Sequence, residues 1–154
     1  MIDVVVNIFR VIAVVLIAAM WFYTLKKYGL LPDKIPTHFD FEQKPDYYGS
    51  KKFVFLLPSI AVLMSVLMFY GSESSYGNYP VKITNENFDV QFSIMRILLS
   101  WLSVVVTFVL FNIQDYMLRL SLNSEAKPRI HLLLPIIFIF LSVMIAIVLA
   151  YIYK

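Results

Sequence analysis

Four stretches of this chain are long and apolar enough to cross a bilayer, and together they leave room for little else. They are residues 4–25, 53–70, 93–113 and 132–153. The first is interrupted only by Asn7, Arg10 and Thr24; the second and fourth carry no charge; the third is uncharged after Arg96. A helical crossing takes about 17–25 residues, and in lipid a helix satisfies its own backbone where an open strand edge cannot. The expected fold is an all-α integral membrane protein, a four-transmembrane-helix bundle forming one membrane domain over residues 1–154. With 60% hydrophobic and 15% charged residues, a water-soluble core could not hide this much apolar surface.

The flanks agree. Trp21-Phe22-Tyr23 precede Lys26-Lys27, and Tyr151, Tyr153 and Lys154 close the chain, as in interfacial belts. The first segment is too long for a signal peptide, lacks an A-x-A cleavage pattern and runs into lysines that act as a stop, so it is expected to be retained. Lys26, Lys27, Lys34, Lys44, Lys51, Lys52, Arg119, Lys127 and Arg129 fall on one side, against Arg10, Lys82, Arg96 and Lys154 on the other. The positive-inside rule then places the first and third loops in the cytoplasm and both termini outside, in what is expected to be a bacterial cytoplasmic membrane. A net charge of +3, with lysines beside apolar segments, suits a membrane surface and not nucleic acid. The absence of cysteine removes disulfides and thiolate chemistry.

"LLPSIAVLMSVLM" at 56–68 and "LLPIIFIFLSVMI" at 133–145 share Leu-Leu-Pro, an Ile and a Ser-Val pair, and Arg10 and Arg96 both open apolar runs. This pattern fits two parallel helical hairpins; chance recurrence among Leu, Ile and Val accounts for it equally well. Arg96, Ser100, Ser103, Thr107 and Gln114 recur at spacings that put them on one helical face. His131, Pro135, Ser142, Ala146 and Ala150 form a second stripe, and Ala61 with Ser65 a third. Small and hydroxyl residues at such spacing form a bundle seam, with a polar path for ions or a small solute as the alternative. Arg10 and Arg96 are expected to snorkel or to pair with carboxylates. In the loop after residue 70, "VKI" at 81–83 reads as briefly extended.

The first loop has more shape. Pro32 and Pro36 push Leu31 and Ile35 toward extended conformations, Asp46 can cap a turn, and Gly49 permits positive φ. Leu30, Leu31, Ile35, Phe39 and Phe41 alternate with polar residues, so residues 26–52 are expected to be ordered against the membrane surface or the bundle mouth.

"LPDKIPTHFDFEQKPDYYGSK" at 31–51 resembles the signature of a bacterial family of small membrane proteins, domain of unknown function sixteen forty-eight. The pattern is L-P-x-x-I-P-x-H-[FW]-[ND]-x-x-G-x-P-D-x-[WY]-x-x-K. Leu31, Pro32, Ile35, Pro36, His38, Phe39, Asp40, Pro45, Asp46, Tyr48 and Lys51 match it, and Asp33 lies within it. The same domain forms the N-terminal part of SdpI-type immunity proteins, so the resemblance implies protection against, or sensing of, a membrane-active peptide through this loop. There are two departures: the glycine of the pattern falls at Gln43, and the longer SdpI chains carry an R-T-P-W-T segment and further spans that are missing here.

His38, with Asp46 and the more distant His131, is a candidate metal set, and Asp33 and Asp40 lie nearby in sequence. One imidazole and loop carboxylates make a poor zinc site, so His38 and Asp46 are expected to hydrogen-bond backbone groups and pin the loop, with Lys51 at the lipid phosphates and no cofactor. No HExxH, G-x-S-x-G or P-loop pattern occurs. The first expectation is a non-enzymatic protein meeting a membrane-active peptide or another membrane protein. The second is a small oligomeric transporter or channel subunit, and the third a metal-dependent enzyme centred on His38.

Overall fold

A computed structural model describes all of residues 1–154. Four helices, α1 (Ile2–Tyr28), α2 (Leu56–Glu73), α3 (Phe88–Leu122) and α4 (Leu133–Ile152), each hold an apolar run long enough to span a membrane. Between α1 and α2 the chain forms an antiparallel β-hairpin, β1 (Lys34–Phe39) and β2 (Pro45–Ser50), then a 3-10 turn, Lys51–Phe55, that leads into α2.

Three sets of hydrogen bonds fix the directions of the helices. Arg10, early in α1, reaches Ser72 and Glu73 at the end of α2, and Glu73 also meets Arg96, early in α3. Thr24, late in α1, meets Gln114, late in α3, beside Val54 just before α2. Gln91 at the start of α3 bonds the backbone carbonyls of Ala150 and Tyr153 at the end of α4. Neighbours in sequence therefore run in alternating directions, which gives the two parallel helical hairpins their sense. Packing crosses between them, however: α1 and α2 lie chiefly against α3, and α4 rests on α3. The Leu-Leu-Pro repeat occupies equivalent positions, opening α2 with Pro58 and α4 with Pro135 at the third helical residue. There a missing N–H leaves nothing unsatisfied.

α3 is much longer than the 93–113 expected from hydropathy. Its residues 97–114 are uncharged and about 27 Å long, close to a hydrocarbon core. Beyond them the helix runs to Leu122, because Gln114, Met117 and Leu118 keep one face buried while Asp115 and Arg119 form an i,i+4 ion pair. On that extension the β-hairpin docks. Leu31, Ile35, Val54, Met117 and Leu118 form a small core, with Tyr28, Phe39 and Phe55 packed around it. Leu30 and Phe41 point outward. Strand structure was not expected in this loop, and Pro36 is tolerated because a two-stranded sheet is all edge. Val81–Ile83 is not a strand either. That segment is organised by Asn87, whose side chain accepts from the Thr84 N–H and donates to the Lys82 carbonyl, just before α3 begins.

Two expectations about the turn are corrected. Gly49 does not have positive φ; it is small because a Cβ there would stand 3.1 Å from the Thr37 side chain. The left-handed residue is Gln43, with φ 62°, at the position where the signature has glycine. The turn is capped by Asp40, whose carboxylate accepts from the Lys44 N–H at 2.8 Å, and not by Asp46. A non-glycine residue in that conformation costs about 1 kcal/mol or more. Gln43→Gly is therefore expected to stabilise the β-hairpin by about 0.5–1 kcal/mol after the added freedom of the unfolded chain is discounted. Slower amide exchange at residues 35–50 would register the gain, and faster exchange would refute it.

Candidate functional site

The β-hairpin presents two faces. Ile35 and Phe39 turn toward α3, where Phe39 lies 5.2 Å from Tyr116 between ring centroids. The Tyr116 hydroxyl donates to the Gln43 carbonyl at 2.9 Å and tethers the tip. At the base the Lys51 N–H donates to the Asp33 carbonyl at 2.9 Å, and the Lys51 ammonium meets the Asp33 carboxylate at 3.1 Å and the Tyr28 ring at 5.8 Å. Lys51 thus closes the base of the hairpin, in place of the expected reach to lipid phosphates. Pro32, Pro36 and Pro45 bound or enter the strands and restrict their backbone.

On the open face His38 Nδ1 meets Asp46 Oδ1 at 2.6 Å. The two side chains are 69% and 47% exposed, so each is the other's partner in solvent and neither pins buried backbone. With Nδ1–H given to the carboxylate, Nε2 is left as the acceptor of the ring. No group of three His, Asp or Glu side chains comes together here or elsewhere in the chain. His131 stays at the head of α4, where its own ring nitrogen faces the Leu133 N–H. Phe41 is fully exposed at the tip, Tyr47 and Tyr48 stand out along β2, and Glu42 pairs with Lys44 at 2.6 Å. That hydrogen bond, with the carboxylate charge behind it, raises the Lys44 ammonium above its usual pKa. A cleft of about 250 Å³ lies between hairpin and bundle, lined by His38, Phe39, Asp40, Asn112, Tyr116 and Leu132.

The stripe on α3 is buried along its length: Ser100, Ser103, Thr107 and Gln114 are each at most 1% exposed, against Thr24, Ala61 and Ser65 of the neighbouring helices. Ser65 and Thr107 hydrogen-bond at 3.2 Å, and the Ser103 hydroxyl donates to the Ser100 carbonyl at 2.7 Å. On α4, Pro135, Ala146 and Ala150 are buried, whereas Ser142 is half-buried and accepts from the Trp101 indole N–H at 3.0 Å. At the far end Arg96 pairs with Asp3 at 2.7 Å and with Glu73 at 3.2 Å, and Arg10 meets the same Glu73.

Gln91 and Tyr116 escaped the sequence reading. Gln91 sits between the loop and the expected apolar run, and no helical spacing ties it to the Arg96 face. Tyr116 sat past the apparent end of the third span, although the i, i+4 hydrophobic spacing of the segment was visible.

The sequence model of a family described as "Domain of unknown function (DUF1648)" matches residues 15–62, the end of α1 through the β-hairpin and into α2. An "Uncharacterized protein" of Archaeoglobus fulgidus is 41% identical over 44 residues, which is 29% of this chain and 24% of that protein. The similarity therefore spans about a quarter of the relative's length. No solved structure matches the chain.

Proposed function

We propose that this is a non-enzymatic membrane protein whose β-hairpin is a recognition surface for a membrane-active peptide, in the manner of the SdpI-type immunity proteins that its loop resembles. One observation carries the reading: Phe41, Tyr47 and Tyr48 are held exposed on a hairpin that is tied down at both base and tip. Aromatic side chains presented without loss of conformational freedom are the usual anchors of protein recognition. His38 and Asp46 beside them add a polar pair of fixed geometry.

The test is protection. Cells of a bacterial host expressing the chain are challenged with pore-forming cationic peptides while membrane potential is followed with a dye. The chain is expected to preserve the potential, and the Phe41→Ser, Tyr48→Ser double variant, which replaces only exposed side chains, is expected to lose that effect. Equal protection by both would overturn the role of the hairpin, and no protection by either would overturn the peptide. Charge placement orients the hairpin toward the cytoplasm with both termini outside. A cysteine placed by Glu42→Cys should thus react with an impermeant maleimide only after permeabilisation. Reaction in intact cells would reverse the orientation and present the hairpin directly to a secreted peptide.

A small oligomeric transporter or channel subunit is the second reading, favoured by the Ser, Thr and Gln column along α3. Solute flux through reconstituted liposomes would separate it from the first.

A further inference from the structure

α1 and α4 both lean on α3 but do not pack against each other along their lengths. The crevice between them is floored by one face of α3. Near the β-hairpin a cavity of about 390 Å³ opens between α1, α3 and the loop that leads to α4, lined by Tyr23, Phe108 and Phe111, with Asp115 and Arg129 at its mouth. Further along α3, between α1 and α4, a separate site of about 340 Å³ surrounds Phe9, Trp101 and Phe138. Trp101, Phe108 and Asp115 are seven residues apart in turn, so they share this face. Trp101 to Asp115 is about 21 Å of helix, most of the uncharged run of α3.

The two ends differ in chemistry. The deep end is apolar, apart from the Ser142 hydroxyl already engaged by Trp101. At the mouth Asp115 meets Arg129 at 3.3 Å, and behind the lining it also meets Arg119 at 2.8 Å, so the trio carries a local charge of +1. Arg119 donates Nε to Asp115 and Nη1 to the Lys127 carbonyl, which leaves its buried Nη2 without a partner. Arg129 is 69% exposed and meets Asp115 through Nε, so the rest of its fork is free. The Asn112 side chain donates to the Ile130 carbonyl at 3.1 Å and holds the wall that carries Arg129 in place.

We propose that an anionic glycerophospholipid seats along this face, its phosphodiester against Arg129 and one acyl chain along Phe108 toward Trp101. A single negative charge answers the surplus positive charge at the mouth, and guanidinium is the group best shaped for phosphate oxygens. Asp115 is already shared by two arginines, so it is a poor partner for a headgroup amine.

The two tryptophans make the test direct. Trp21→Phe leaves Trp101 as the sole emitter, and the full chain is reconstituted in phosphatidylcholine vesicles with rising fractions of phosphatidylglycerol brominated on its acyl chains. Quenching is expected to saturate at a low mole fraction, with brominated phosphatidylcholine about fivefold weaker as one basic side chain at the headgroup predicts. Adding Arg129→Gln should erase that preference, whereas Lys82→Gln, at the opposite end, should leave it intact. Quenching that rises linearly with mole fraction, equally for both lipids and in both variants, would show only surrounding bilayer and overturn the site. Absence of quenching together with chemically cross-linked dimers would overturn it in favour of a second copy covering the crevice.

Discussion

Leu118→Ala is expected to undock the β-hairpin while the four helices remain in the bilayer. Leu118 is fully buried in the small core that joins Leu31, Ile35 and Val54 to α3. This core lies past the uncharged part of α3, where water is the alternative surrounding, so the hydrophobic effect holds it together. Within the span the same leucine would gain little from leaving lipid. A leucine-to-alanine cavity costs about 2–5 kcal/mol, a large share of what five buried side chains can supply. The Tyr116 and Lys51 tethers cannot by themselves replace that packing. Limited trypsin digestion of proteoliposomes should cut the variant rapidly at Lys34 and Lys51, with amide exchange at residues 35–50 rising and helicity unchanged. Wild-type resistance at these lysines would refute the core.

Gln114→Leu should weaken the whole bundle. The Gln114 amide donates to Thr24 Oγ1 at 2.8 Å and to the Val54 carbonyl at 2.9 Å, which joins α3 to α1 and to the turn before α2. Thr24 spends its own proton on the Met20 carbonyl at 2.8 Å, so both partners of Gln114 require a donor. Leucine fills similar space and leaves two buried acceptors unpaired, at a cost of about 2–3 kcal/mol. Gln114→Glu should be worse, because an acceptor would face two acceptors. Unfolding in mixed detergent micelles, followed by tryptophan emission, is expected to rank wild type above leucine and leucine above glutamate. Equal midpoints for glutamine and glutamate would show that the bridge is not formed.

The spans were legible because lipid imposes a blunt requirement, a long run of apolar residues, and all four helices contain the runs expected of them. The β-hairpin was harder to read. Prolines at 32, 36 and 45 mask the alternation of Ile35, Thr37 and Phe39, and the partner strand is largely exposed, with adjacent tyrosines in place of an apolar-polar alternation. The reach of α3 to Leu122 was hidden for a related reason: past Ile113 the helix answers to water and to the hairpin, so its signal changes from a run to a period. At Gln43 the departure from glycine located the strained residue, and the positive φ expected of Gly49, in β2, belongs to this turn residue six positions earlier.

The central place of α3 bears on how the protein is made. Residues 1–73 enter the membrane first, and at that moment Thr24 has no Gln114, Ser65 has no Thr107, Glu73 lacks Arg96, and the β-hairpin has no floor. α1 and α2 share little contact of their own, so the half-made chain is two tethered rods with polar faces open to lipid or to the insertion machinery. The third helix arrives as a keystone and in one event seals the seam, pairs the charges and seats the hairpin; α4 then closes against a finished trio. Until the ribosome has passed residue 122, the nascent chain is a client for whatever holds unfinished membrane helices.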